Sequence, residues 1–425
     1  MKKKLILFLA IFSINNPCFA KEVSLNPDLA KKNHLRLSLD QAIKLAIKNR
    51  PSLKAFQYAV QASKQDEKKA LSGYKPQINL TEKPSFQSGY KGIQNDVTIQ
   101  ADQLIYSFAG PLEEYKIAQK GTGISEYQKL RHQELIIFEV TRSFLQSWLL
   151  QRKNNFIKYL NSSSVQNIKK SEHENKLNLL DKNVWLNDAA TYSENISTVY
   201  IYSDELKNAR SELEYYIGKK FENGKSNLIL TWDSKHEIKL EALNHYYNNA
   251  IKHRNDIKEK QKEIEQQEEY KNFYKKTYLP SLSLNGQAGR TSGNASNSIG
   301  AILNWSMFDG GTNYYESQKA NANKLKALME KDRLIQLTKF EIQKSYYELN
   351  SILKQLIAKN IRLTQAKNEI ILRKQQFEIG DISKVDFEIA KYNWETQKFD
   401  WLTTKLSAEL KLNELKYASG YYAKN

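Results

Sequence analysis

Hydrophobic positions along this chain change period from helix to strand and back, and the whole change then happens a second time. Ser38-Leu39-Asp40-Gln41 is a capping-box pattern, and Ala42, Leu45, Ala46 and Asn49 follow at helical spacing. A helix is predicted over about 38–73, kinked at Pro51 and ended by Pro76. Val97, Ile99, Ala101 and Ile105 then stand at period two against Thr98, Gln100 and Asp102. That alternation predicts a strand with one apolar and one polar face. Strands are expected over about 77–87 and 96–106, with a turn at 89–92. Long helices over about 112–177 and 184–217 come next, because no Gly or Pro lies between Gly123 and Gly218. The second half predicts a helix over about 241–278, strands over about 281–290 and 298–308, and helices over about 312–379 and 385–417. Its last strand alternates Ile299, Ala301, Leu303, Trp305 and Met307 with Ser298, Gly300, Asn304 and Ser306, after a turn placed at 291–297.

The two halves are copies of one unit. Ala46-Ile47-Lys48-Asn49-Arg50 returns as Ala250-Ile251-Lys252-His253-Arg254, 204 positions on, and Tyr74-Lys75-Pro76 returns as Tyr278-Leu279-Pro280 at the same spacing. Ser107-Phe108-Ala109-Gly110 meets Met307-Phe308-Asp309-Gly310 at 200 positions; Val184 and Ala189 meet Val385 and Ala390 at 201. Matches in one order and nearly one register indicate a duplication. In the second long helix Leu349, Leu356, Leu363, Ile370 and Phe377 recur every seven residues. The companion seam is broken, running Ile352, Lys359, Ala366, which suits a helix on a hollow, partly wet assembly.

Residues 1–20 read as a signal peptide: Lys2, Lys3 and Lys4, an apolar run from Leu5 to Ile14, then Cys18-Phe19-Ala20 with cleavage expected after Ala20. Residues 21–37 are expected to be an N-terminal segment, 38–217 the first repeat, 218–240 a connecting segment, 241–417 the second repeat and 418–425 a short tail. Cys18 is the single cysteine, which excludes an intramolecular disulfide framework and a cysteine-ligated metal site. The net charge of +18 is spread along the chain, with Lys interleaved with Glu as in Lys258-Glu259-Lys260, so no nucleic-acid partner is expected. The segment from Gly218 to Ser226 imitates a phosphate loop but has five residues between its glycines where the motif needs four. The six His are scattered, and nothing places a catalytic triad. No metal, no cofactor and no enzymatic activity are expected.

Four strands are too few to close a barrel, whereas three chains together would supply twelve. At this point the motifs carry a resemblance. Leu39-Asp40-Gln41-Ala42 with Ala46 and Asn49, Tyr278-Leu279-Pro280, Trp305-Ser306-Met307-Phe308-Asp309-Gly310-Gly311, and Gly380 before Val385-Asp386 and Ala390 resemble the TolC-family outer-membrane efflux proteins over about 37–417. The resemblance implies a mainly α fold with transmembrane β: a homotrimer sharing one twelve-stranded barrel, continued by a periplasmic α-helical barrel. It implies a passive exit duct in the outer membrane of a Gram-negative bacterium, serving an inner-membrane pump through a periplasmic adaptor in efflux or type I secretion. Val97, Ile99, Ala101, Ile299, Ala301, Leu303 and Trp305 would face lipid, and Trp305, Phe308, Asp309, Gly310 and Gly311 would lead into the long helix. Asp386, Asp188 and Asp381 are the candidates for an acidic ring at the periplasmic aperture. The chain departs from the family pattern at Ile382 and Ile389, which stand where the family has an arginine and a second acid, and Glu82, Lys83 and Pro84 weaken the first strand as a lipid-facing one. The alternative reading is a periplasmic or surface coiled-coil scaffold without a pore.

Overall fold

A computed structural model describes residues 36–85, 94–177, 181–221, 228–233, 237–291 and 294–423. The expected signal peptide, the turn at 89–92 and most of the phosphate-loop imitation lie outside the described residues. In chain order the elements are β1 (Arg36–Ser38), α1 (Leu39–Asn49), α2 (Pro51–Ser72), β2 (Gln77–Ser85), β3 (Gln94–Ser107), α3 (Pro111–Lys176), α4 (Lys182–Ile217), β4 (Ile229–Thr231), α5 (Leu243–His253), α6 (Asn255–Lys276), β5 (Ser281–Thr291), β6 (Asn294–Asn304), α7 (Thr312–Glu378) and α8 (Lys384–Ala418). The sheet β2-β3-β5-β6 is antiparallel throughout and lies at one end. From it run two helical hairpins, α3 with α4 and α7 with α8. At 1.5 Å per residue, α3 and α7 are each roughly 100 Å long, which carries both hairpin tips far from the sheet.

The duplication is visible in the packing. Ala46 and Ala250 are both buried, as are Val140 and Ile342, and Leu213 and Leu415. The first copy of the core joins α1, α3 and α4 around Phe144; the second joins α5, α7 and α8 around Leu349. Burying such a side chain contributes about 1.5–3 kcal/mol. The seven-residue seam of α7 is the face turned to α8. Lys359, which interrupts the companion seam, pairs with Asp400 at 2.9 Å, and Phe377, the last member of the seven-residue seam, stacks on Phe387.

Two expectations are corrected, and one pairing was not foreseen. The helix expected over 241–278 is two helices broken at Arg254, just as the first is broken at Arg50. The second break has no proline. Both arginines are extended (ψ 120° and 121°), and a glycine closes over each. Gly218 (φ 71°) ends α4 and leaves a Cβ only 3.2 Å from the Arg50 Cα; Gly420 (φ 67°) leaves one 3.1 Å from the Arg254 N. The close approach and the left-handed backbone both require glycine there. Next, the last strand spans 294–304, where 298–308 was expected, so Trp305 lies beyond its end. Asn294 to Asn297 pair with Thr291 to Ala288 although their composition reads as a turn, because pairing outweighs propensity. Finally, β1 and β4 pair in parallel, joining the expected N-terminal and connecting segments into one small sheet.

A charge cluster ties the two units together. Arg254, 4% exposed, donates to Asp256 at 2.7 Å, to Glu341 at 3.1 Å and to the Ala418 carbonyl at 3.1 Å. Arg131 of α3 pairs with Glu134 and Asp256 and lies 4.0 Å from the Tyr417 ring centroid. Burial alone would raise the Asp256 carboxyl; the bond from Arg254 and the charge of Arg131 hold it below its ordinary value. Burial pushes the Glu134 carboxyl up, against the pull of Arg131.

Candidate functional site

The strand register sorts the sheet into two unlike faces. Antiparallel partners share a face. Ile78 and Leu80 stand beside Ala101 and Ile99, and these beside Gly286 and Ala288. Ile299, Ala301 and Leu303 stand beside Gly286, Leu284 and Leu282. The result is a largely apolar face, interrupted by Gln103 beside Leu284 and, toward the hairpin end, by Glu82 and Arg290 on either side of Val97; it is open to its surroundings, with Ile299 89% exposed, Ile78 71% and Leu303 67%. The opposite face carries Asn79, Thr98, Gln100, Asp102, Ser283, Asn285, Gln287, Ser298 and Asn304. Polar groups pair there: the Asp102 carboxylate accepts from Gln100 at 2.8 Å and from Asn285 at 2.5 Å. A bulge after Leu104 places Tyr106, not Ile105, opposite Leu282. Val97, Ile99, Ala101, Ile299, Ala301 and Leu303 therefore share the apolar face. Ile78, Leu80, Leu282 and Leu284 belong to it as well. Their alternation with Gln77, Asn79, Ser281 and Ser283 was the available signal, obscured in β2 by Glu82, Lys83 and Pro84. Lys83 and Pro84 pair with Asp96 and Asn95, next to the hairpin end of β2 and β3.

The segment between β6 and α7 turns the chain from sheet to rod. Gly310 (φ 69°) and Gly311 (φ 84°) make the turn in a backbone region that excludes most side chains. The Asp309 carboxylate accepts from the Gly311 N–H at 2.9 Å and the Asn313 N–H at 2.8 Å, two amides that a helix start leaves without partners. These backbone bonds, Asn313 foremost, hold its carboxyl below the usual range. Trp305 donates its indole N–H to the Tyr278 carbonyl at 3.0 Å, fastening the strand end to the end of α6. Met307 and Phe308 stay exposed at this level, as do Tyr106 and Phe108 in the first unit. Aromatic side chains at the end of a two-faced sheet match the girdle of a membrane–water boundary. The first unit reaches the same result without the Asp cap, by Gly110 followed by Pro111 at the first position of α3.

The three tip acids are placed differently. Asp386 is exposed at the third position of α8 and closes a capping box: its carboxylate accepts from the Ser383 N–H at 3.2 Å and the Ser383 hydroxyl at 2.7 Å. Those bonds, then the charge of Arg373, lower its carboxyl. Asp381 is exposed in the turn after Gly380, and its N–H donates to the Gln376 carbonyl at 2.9 Å. Asp188 is half-buried and accepts from the Ser171 hydroxyl. Within one chain Asp386 and Asp381 share the α7–α8 tip, and Asp188 lies near the α3–α4 tip.

Among the described residues no group of His, Cys, Asp and Glu is arranged to hold a metal ion, and no helix is long and apolar enough to cross a membrane. Residues 246–421 match the outer membrane efflux protein family. No curated protein matches the sequence. Among solved structures, the chain is similar to the CmeC outer membrane channel of Campylobacter jejuni, with TM-score 0.70, 17% identity, and 98% of this chain and 94% of that one covered. It is also similar to VceC, an outer membrane protein of Vibrio cholerae, with TM-score 0.65 and 13% identity over 90% of this chain and 96% of that one. The open state of the MtrE outer membrane channel of Neisseria gonorrhoeae matches with TM-score 0.66 and 12% identity over 90% and 88%. These likenesses establish that the chain has the fold of such outer membrane channels along nearly its whole length, and its second repeat is similar in sequence to the outer membrane efflux protein family.

Proposed function

We propose that three copies of this chain assemble into a passive duct, each lending its four strands to one closed barrel and its two hairpins to a periplasmic tunnel. The observation that carries this reading is the sheet. It exposes an apolar face on one side and a polar face on the other, and ends on each side in a strand, β2 or β6, with one unpaired edge. An open edge beside a wide apolar face is unstable in water and in lipid alike. Joining β6 of one copy to β2 of the next removes every edge, puts the apolar face against lipid and leaves Gln100, Asp102 and Asn285 lining water. A coiled-coil scaffold would account for the hairpins but not for this sheet. The duct would take cargo from an inner-membrane pump through a periplasmic adaptor, for efflux or type I secretion. The resemblance to TolC-type proteins supports both partners, and it supports Asp386, Asp188 and Asp381 as acids repeated around the narrow inner end. Native mass spectrometry of protein extracted from outer membranes tests the assembly. A mass of three chains supports it; a monomer or dimer as the sole species refutes it.

A further inference from the structure

A cavity of about 500 Å³ opens where α3 passes α8, over the connecting segment between the repeats. It lies about 55 Å along α3 from the sheet. Its walls are aromatic: Trp148, Phe156, Trp232, Phe399 and Trp401 all line it. Trp148 and Trp232 meet edge to face at 4.9 Å, and Phe156 stacks on Phe399 at 5.8 Å. Its rim is cationic, which sets it apart from an ordinary packing defect. Arg152 is exposed and lies 5.5 Å from the Trp148 ring centroid. Lys398 lines the same rim; the one acid in the lining, Glu395, is its partner at 3.3 Å. The lining therefore carries one more positive than negative charge.

We infer that this cavity is a binding site for a small organic anion with a flat apolar body, separate from the conducting path through the sheet. The rings take the apolar body by stacking and area burial. Arg152 neutralises its charge at the rim. The duplication does not repeat the site: at the spacing that carries Val140 to Ile342 and Leu213 to Leu415, Trp148 falls on Asn350.

The test uses the full chain in lipid nanodiscs, with empty nanodiscs as the background. The probes are anilinonaphthalene sulfonate and its uncharged relative N-phenylnaphthylamine, read by fluorescence. The site predicts saturable binding of the sulfonate at one probe per chain, about tenfold tighter than the uncharged probe. Arg152→Glu should weaken the sulfonate about tenfold and leave the uncharged probe unchanged. Helix content by circular dichroism and native mass establish that the variant is assembled. Binding no greater than that of empty nanodiscs, equal affinity for both probes, or an unaffected Arg152→Glu variant overturns the inference. A neighbouring copy covering the cavity would give the first of these results.

Discussion

Replacing Ala301 by arginine puts the two-faced sheet to a quantitative test. Ala301 stands on the apolar face opposite Leu284, between Ile299 and Leu303. Strand β6 runs from Asn294 to Asn304, so Ile299 is its midpoint and Ala301 lies two residues toward α7. With a rise of about 3.3 Å per residue and a tilt of about 40°, Ala301 is about 5 Å from the centre of the band. An arginine near the midplane of a barrel's lipid face costs about 2–4 kcal/mol. The native side chain is a single methyl, so little apolar burial is lost and the charge dominates. At about 1.4 kcal/mol per decade, each chain loses a factor of roughly 30 to 700 in its folding equilibrium. Asn304→Lys provides the control, since Asn304 is on the polar face three residues away. The assay is the yield of heat-sensitive oligomer in the outer-membrane fraction, at matched expression. Ala301→Arg should fall more than about tenfold, while Asn304→Lys should remain near the parent. Equal yields of the two variants would refute the assignment of faces.

Arg254→Ala should lower the unfolding midpoint more than Arg50→Ala. The first leaves the half-buried Asp256 without its main partner, a loss of up to about 3–5 kcal/mol for a broken buried pair. The second breaks one more exposed pair with Glu139, worth about 1.5–3 kcal/mol; denaturant titration orders the two. Asp309→Ala should speed amide exchange at Gly311 and Asn313 at neutral pH. The Asp309 carboxyl is lowered in the folded chain, so its contribution is present above the ordinary carboxylate pKa and fades as pH falls through the folded value. Parent and variant should therefore converge in acid, and a constant difference would contradict the capping role. Joint Asp386→Asn and Asp188→Asn substitution should lower cation selectivity in bilayer recordings while leaving the oligomer intact; unchanged selectivity would remove these acids from the aperture.

The duplicated order of helix, strands and hairpin was legible because its markers are local: Tyr278-Leu279-Pro280, the alternation through Ile299 and Leu303, and the long stretches without Gly or Pro. The apolar faces of β3 and β6 followed from period two alone. What escaped the sequence is set by residues distant along the chain. The break at Arg254 lacks the proline that signals the one at Arg50, and depends on Gly420 and Glu341. The start of β6 among Asn294, Ala295, Ser296 and Asn297 depends on pairing with β5. Arg131 reveals nothing locally of Asp256, and the cavity beside Trp148 is completed by Lys398 and Trp401 from the far end of the chain. The tip acids were found as residue types, but the capping box that Asp386 closes with Ser383 was not anticipated.

Single-channel recording in a planar lipid bilayer tests the duct most directly. Purified protein, added without any pump, adaptor or energy source, should produce discrete, long-lived conductance steps, because the polar face of the sheet would line a water-filled lumen. Protein that inserts into the bilayer as an intact oligomer yet carries no ions, with Asp386, Asp188 and Asp381 replaced as well as in the parent, would contradict it.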